Sequence, residues 1–263
     1  AAELDGGGRI KFEFTITNYG WGDGHGAVAV KVFQPGRPAY EFSKKDDDWS
    51  YSKKRFEMTI AGTSVEAIGA DRFRLTHEGK VDVEVTFQNT LPMWQPGDGQ
   101  INSGDKYFTL TLIAPRADVE GWVGYGDERV EVKGSRSGLA DHSASRFAPY
   151  NLARRFGRFY HFNDDVFIAW REIALTEKRG GESLTWLVVG YRDQIVFSDA
   201  GARIKFAKFR RDGQTGYKIP RLIQIDGVDG ADSVRLVIRA EQARRVDLLD
   251  EHEALVRFFA SAV

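Results

Sequence analysis

The chain has 263 residues, 42% hydrophobic and 13% aromatic, with 37 Lys and Arg against 38 Asp and Glu and no cysteine. That length is on the order of one large or two small domains, with an apolar fraction able to sustain a packed core. The lack of cysteine excludes a disulfide framework, thiolate catalysis and cysteine-ligated zinc or iron–sulfur sites. The formal charge of −1 excludes the overall electrostatic footprint of a nucleic-acid binder.

Period two dominates the chain. Ile10, Phe12, Phe14 and Ile16 alternate with Lys11, Glu13 and Thr15, and Val28, Val30 and Val32 follow in the same manner. Further on, Val81, Val83, Val85 and Phe87 alternate with Asp82, Glu84, Thr86 and Gln88, and Phe108, Leu110 and Leu112 with Tyr107, Thr109 and Thr111. Near the end Val234, Leu236 and Ile238 alternate with Arg235 and Arg239. Each run predicts a strand with one buried and one solvated face. Turn signals separate them: the glycine run Gly20–Gly26, Gln34-Pro35-Gly36, Pro96-Gly97-Asp98-Gly99, Arg179-Gly180-Gly181 and Asp212-Gly213. Roughly 16–19 short strands at this spacing suggest sandwiches or closed barrels. Helix is expected only over Pro149–Phe159 and, as an alternative to a last strand, over Asp250–Phe259. The absence of helices between strands argues against a parallel α/β sheet.

A composition shift divides the chain. Between Lys133 and Arg158 stand Arg136, Arg146, Arg154 and Arg155 with Asp141 as the single acid. The expected organisation is a first barrel over 1–136, a basic interdomain segment over 137–155 and a second barrel over 156–263. Each half is long enough for a barrel of about eight strands.

Chemistry-bearing residues are few. The histidines His25, His77, His142, His161 and His252 form no H-x-H or H-x-x-x-H pair, so no metal is expected. The Gly20–Gly26 run precedes a strand, which makes it a hairpin loop and not a phosphate cradle. Gly134–Gly138 carries Arg136 where a hydrolase elbow needs serine. Asp141-His142 is the most informative dipeptide. It reads either as an interdomain polar lock or as an acid/base pair, in which a carboxyl desolvated in an aromatic cavity keeps its proton and a histidine relays it. Trp122, Tyr125, Phe159, His161 and Trp170 are the candidate cavity wall, each with plain barrel core as its blander reading.

Three segments carry a resemblance. Tyr107–Val123 (YFTLTLIAPRADVEGWV) ends a strand in Pro-Arg; Gly126–His142 (GDERVEVKGSRSGLADH) comes close to a Gly-x-x-Asp-His signature. Arg155–Glu172 (RFGRFYHFNDDVFIAWRE) reads as a hairpin of two aromatic strands, the second ending in Trp-Arg. With the glycine-rich Trp94–Gly104, they resemble the lipocalin-like superfamily of fungal survival-factor proteins, carotenoid hydratases (hydroxyneurosporene synthases) and lipocalin-type Diels–Alderases. The resemblance implies two consecutive lipocalin-like antiparallel β-barrels with little helix, and an apolar ligand. It places the hydratases' implicated Asp and His on Asp141 and His142. The chain departs from the pattern at Leu139, where an aromatic is common, and at Ser143-Ala144-Ser145, where the hydratases carry Trp. Both departures weaken the enzyme reading and leave the binding reading intact.

Three functions are therefore carried forward: binding or transfer of an apolar lipid or isoprenoid; a cofactor-independent hydratase or cyclase with Asp141 as general acid; and a partner-binding double barrel with filled cores. No cofactor and no nucleic-acid partner are expected. Lys53-Lys54-Arg55 and Arg154-Arg155 suit peripheral contact with anionic lipid. The start at Ala1 leaves the compartment open between the cytoplasm, a membrane surface and export after signal removal.

Overall fold

The computed structural model describes residues 1–17, 24–52, 54–213 and 216–240. The strands, in chain order, are β1 (Ala2–Leu4), β2 (Gly8–Thr17), β3 (His25–Phe33), β4 (Tyr40–Asp46), β5 (Trp49–Ser52), β6 (Glu57–Ile60), β7 (Thr63–Ala67), β8 (Arg72–His77), β9 (Asp82–Asn89) and β10 (Gln100–Ser103). The long pair β11 (Lys106–Tyr125) and β12 (Glu128–Ser145) follows, then the helical turn α1 (Pro149–Leu152). The rear strands are β13 (Ala153–Phe162), β14 (Val166–Leu175), β15 (Ser183–Tyr191), β16 (Gln194–Asp199), β17 (Arg203–Arg211), β18 (Lys218–Asp229) and β19 (Asp232–Arg239). The chain is all-β and antiparallel with little helix, as the alternation predicts: a nearly closed front barrel followed by two further sheets.

The front sheet runs β4-β3-β2-β1-β12-β11-β9-β8-β7-β6-β5, curled into a nearly closed barrel. The expected inward residues line it: Ile10, Val28, Val30, Val32, Phe73, Leu75, Val83, Val85 and Phe87 are all buried in one cluster. Burying each such side chain stabilises by about 1.5–3 kcal/mol. The rear half has a four-stranded sheet, β13-β14-β15-β16, and a three-stranded sheet, β17-β18-β19. They share a core of Trp170, Leu187, Phe197, Ala202 and Ile225.

The pair β11–β12 belongs to both halves. Its register shifts between Leu112 and Val119, around Pro115, where a bulge leaves no ladder bond for proline to spoil. Below the shift, Val119, Val123 and Val132 pack in the front core. Above it, Leu110, Leu112 and Leu139 pack with Phe167, Ile173 and Trp186 of the rear sheet. The segment expected as linker, 137–155, is therefore mostly strand: β12 runs to Ser145 and β13 starts at Ala153. The helix expected over Pro149–Phe159 is confined to α1, because pairing with β14 captures the residues after Leu152. The stretch Asp250–Phe259 lies outside the described residues, as does most of the Gly20–Gly26 run.

Close approach fixes the bend. A Cβ on Gly138 would stand 2.7 Å from Val119 and 2.8 Å from the Phe87 ring. At Gly121, with φ +148, a Cβ would stand 2.1 Å from the Glu84 carbonyl oxygen. The bend also supplies two clamps for the β13–β14 turn. Arg116, fully buried, donates from Nε to Thr90 Oγ1 (3.2 Å) and from Nη1 to the Asn163 carbonyl (3.4 Å). Arg136 donates to the Asp164 carbonyl.

Candidate functional site

The barrel wall has a gap. β1 joins β2 to β12 only near Ala2, which pairs with both Ile10 and Gly138. Past that point β2 pairs only with β3, and β12 only with β11. A cavity of about 870 Å³ fills the lumen behind this gap and continues through it to the rear sheet. Ligand pockets commonly span roughly 300–1,000 Å³. The lumen end is apolar, lined by Phe12, Phe14, Val28, Met58, Phe73 and Phe87. The rear end is mixed, lined by Phe156, Arg158, Arg171, Ile173 and Trp186. Leu139, Ala140, Asp141 and His142 stand at the gap itself.

Asp141 reaches across to the rear sheet. Its Oδ2 accepts the Tyr160 hydroxyl at 3.0 Å and forms an ion pair with Arg171 Nη2. The Arg171 guanidinium also stands 4.9 Å from the centroid of the Tyr160 ring. The Asp141 side chain keeps 34% of its surface open to the cavity, against 12% for Arg171. Burial raises the Asp141 carboxyl above its ordinary value, and the Arg158 guanidinium opposes that shift. Burial lowers Arg171 to about 10. Arg171 Nε is buried without a hydrogen-bond partner.

The next residue on β14 forms a different pair. Glu172 Oε2 accepts Arg155 Nε at 2.9 Å; its Oε1 accepts Arg155 Nη2 at 2.6 Å and Ser183 Oγ at 3.1 Å.

Of the sequence-predicted residues, Asp141 and His142 both line the cavity, next to the register shift between Leu112 and Ala114. No hydrogen bond joins their side chains. The five aromatic-wall candidates lie elsewhere. Trp122 packs under the Arg129 guanidinium at 3.7 Å, next to Glu84 and Glu131, and Tyr125 under Arg37 at 4.4 Å. Trp170 is buried in the rear core with Phe159 against it, and His161 is exposed on the same side of β13. Strand parity explains the offset. Phe159 pairs with Trp170 on one face, while Arg158 pairs with Arg171 and Tyr160 with Ala169 on the other. The cavity-lining residues that sequence reasoning missed include Arg158 and Arg171, each one position away from a residue it chose, and Phe156.

Among the other histidines, His77 is core: Nδ1 meets Thr63 Oγ1 at 2.7 Å and Nε2 the Tyr40 hydroxyl at 2.8 Å. Burial lowers its pKa below 6.5. Among the described residues no three potential metal ligands converge.

Neither a protein-family model nor a curated protein matches the chain. Solved structures do. A putative AttH from Nitrosomonas europaea is similar at TM-score 0.56 and 13% identity, over 83% of this chain and 71% of that one. Kievitone hydratase from Nectria haematococca is similar at TM-score 0.52 and 11% identity, over 89% and 75%. CghA with Sch210972 is similar at TM-score 0.60 and 8% identity, over 92% and 74%. At these identities the likeness is one of fold alone.

Proposed function

We propose that this protein binds an apolar small molecule, of lipid or isoprenoid size, in the cavity behind the β2–β12 gap. The observation that carries this reading is the continuous cavity of about 870 Å³, aromatic and aliphatic at the lumen end. It also disfavours the third function carried forward, which requires filled cores. Burying a chain there contributes about 0.8 kcal/mol per CH₂. Contact with a membrane surface, through Lys54, Arg55 and Arg154, is the route by which such a ligand would be exchanged.

Two measurements test it. Mass spectrometry of an organic extract of the natively purified protein is expected to reveal a stoichiometric apolar compound. Nile red is expected to bind saturably, and Ala140→Trp, which fills the gap, to abolish that binding while the β-sheet circular dichroism is unchanged. Absence of both signals would sink the reading.

One observation favours catalysis as a second reading. The Asp141 carboxyl is raised by burial in the cavity, the direction a general acid requires, and a structurally similar protein is a hydratase. Here Asp141 would protonate an alkene of a bound polyene, with His142 alongside. Against this, the Arg171 contact favours the carboxylate. Asp141→Asn would then abolish turnover of a polyene and leave its binding intact.

A further inference from the structure

The polar end of the cavity has an unbalanced charge. Its carboxylates each have a cation of their own: Glu13 pairs with Lys11 at 2.7 Å, Glu172 with Arg155, and Asp141 with Arg171. Arg158 lines the same cavity and has no ion-pair partner among the described residues. It is also the direct cross-strand partner of Arg171. Like charges in that position repel, and one carboxylate, Asp141, serves both. Among the charged side chains the arrangement therefore leaves one positive charge surplus, on the exposed Arg158; burial lowers the Ala1 amine at the same cavity to about 6, so it adds no charge above that pH.

We infer that the ligand is an amphiphilic carboxylic acid, its apolar part in the barrel lumen and its carboxylate on Arg158 beside Arg171. This rests on the binding reading above and names the chemistry of its polar end. A guanidinium presents paired N–H donors that match the two oxygens of a carboxylate. A carboxylate carries the single charge needed to balance the surplus, whereas a phosphate monoester at neutral pH carries about −1.5 to −2. The acid relieves the Arg158–Arg171 repulsion without displacing Asp141, which stays on Arg171 and Tyr160.

The test is competition against Nile red by compounds that share a chain and differ at its end: palmitic acid, hexadecanol, methyl palmitate and hexadecyl phosphate. Retinoic acid and retinol repeat the comparison for a ringed chain. In at least one of the two chain types the acid is expected to bind about tenfold or more tighter than its neutral counterpart, the scale of one charge-assisted hydrogen bond. Arg158→Gln, at a side chain with no ion-pair partner among the described residues, is expected to bring the acid to the level of the alcohol and leave the alcohol unchanged. Arg158→Lys should restore part of the preference. Equal binding of acid and alcohol in both chain types would overturn the inference, as would tighter binding of the phosphate or a preference that survives Arg158→Gln. If neutral chains bind and the acid gains nothing, only the acid assignment fails. If neither Nile red nor any competitor binds, the binding reading fails with it.

Discussion

Arg171 and Glu172 are neighbours on β14, yet each sits in an ion pair of opposite character. Glu172 points to the opposite face of the rear sheet from Arg171, at the rim of the cavity, with its side chain fully buried. Three donors from Arg155 and Ser183 satisfy it, and the Arg155 guanidinium also lies 4.5 Å from the Phe206 ring centroid. The hydrogen bonds that Arg155 donates to Glu172 raise the Arg155 pKa. Arg171 faces the cavity. It touches a single oxygen of Asp141, shares that oxygen with Tyr160, and has a buried Nε without a partner. A buried ionic network braces a fold when every donor and acceptor is satisfied. A partly satisfied one beside a cavity retains capacity for something else, and strand parity alone decides which kind each residue joins.

The largest effect expected from this contrast is at the brace. Arg155→Ala leaves the Glu172 carboxylate buried with only Ser183, which should cost about 3 kcal/mol, read as a lower urea midpoint with unchanged slope. Arg155→Lys keeps the charge and loses the fork, and should recover only part. At the cavity the same operation should be milder. Asp141→Ala is expected to cost about 1–2 kcal/mol, because its partly open side chain is better solvated. Asp141→Asn keeps an acceptor for Arg171 and Tyr160 and should cost less than about 1 kcal/mol. If Asp141→Ala proves as costly as Arg155→Ala, the two pairs are both structural and the contrast disappears.

Much of this was legible in the sequence. Alternation located β2, β3, β9 and β19, and it anticipated the front core through Val28, Val83 and Phe87. The resemblance drew attention to Asp141, which stands in the cavity. What alternation could not give is the absolute face of a strand buried on both sides, and a shift of one residue exchanges every side chain. Thus Phe159 and Trp170 were chosen where Arg158 and Arg171 line the cavity. A second gap is the bend at Leu112–Val119. The composition shift fell on the basic run from Lys133 to Arg158, which reads as a linker, whereas Arg136 of that run joins Arg116 as a clamp on the β13–β14 turn. No sequence signal revealed that β11–β12 is shared by both cores, because sharing depends on three register shifts.

The smallest expected effect is a slope, and its sign separates the cavity carboxyl from an ordinary buried base. Burial raises the Asp141 pKa above 3.8, so the folded chain holds this proton to higher pH than the unfolded chain. Within that window the folded state binds more protons, and stability falls as pH rises through it, by at most about 1.4 kcal/mol per pH unit. His77 acts in the opposite sense at higher pH. Its pKa is lowered from 6.5, so its contribution is complete above that value and is lost as pH falls toward the folded pKa. Urea unfolding between pH 4 and pH 8 should therefore show two separable limbs: Asp141→Asn removes the acid-side decline, and His77→Gln removes the rise toward neutrality. An unaltered acid limb in Asp141→Asn would mean that this carboxyl is solvated like a surface group. The cavity pair would then lose the desolvation that distinguishes it from a surface salt bridge.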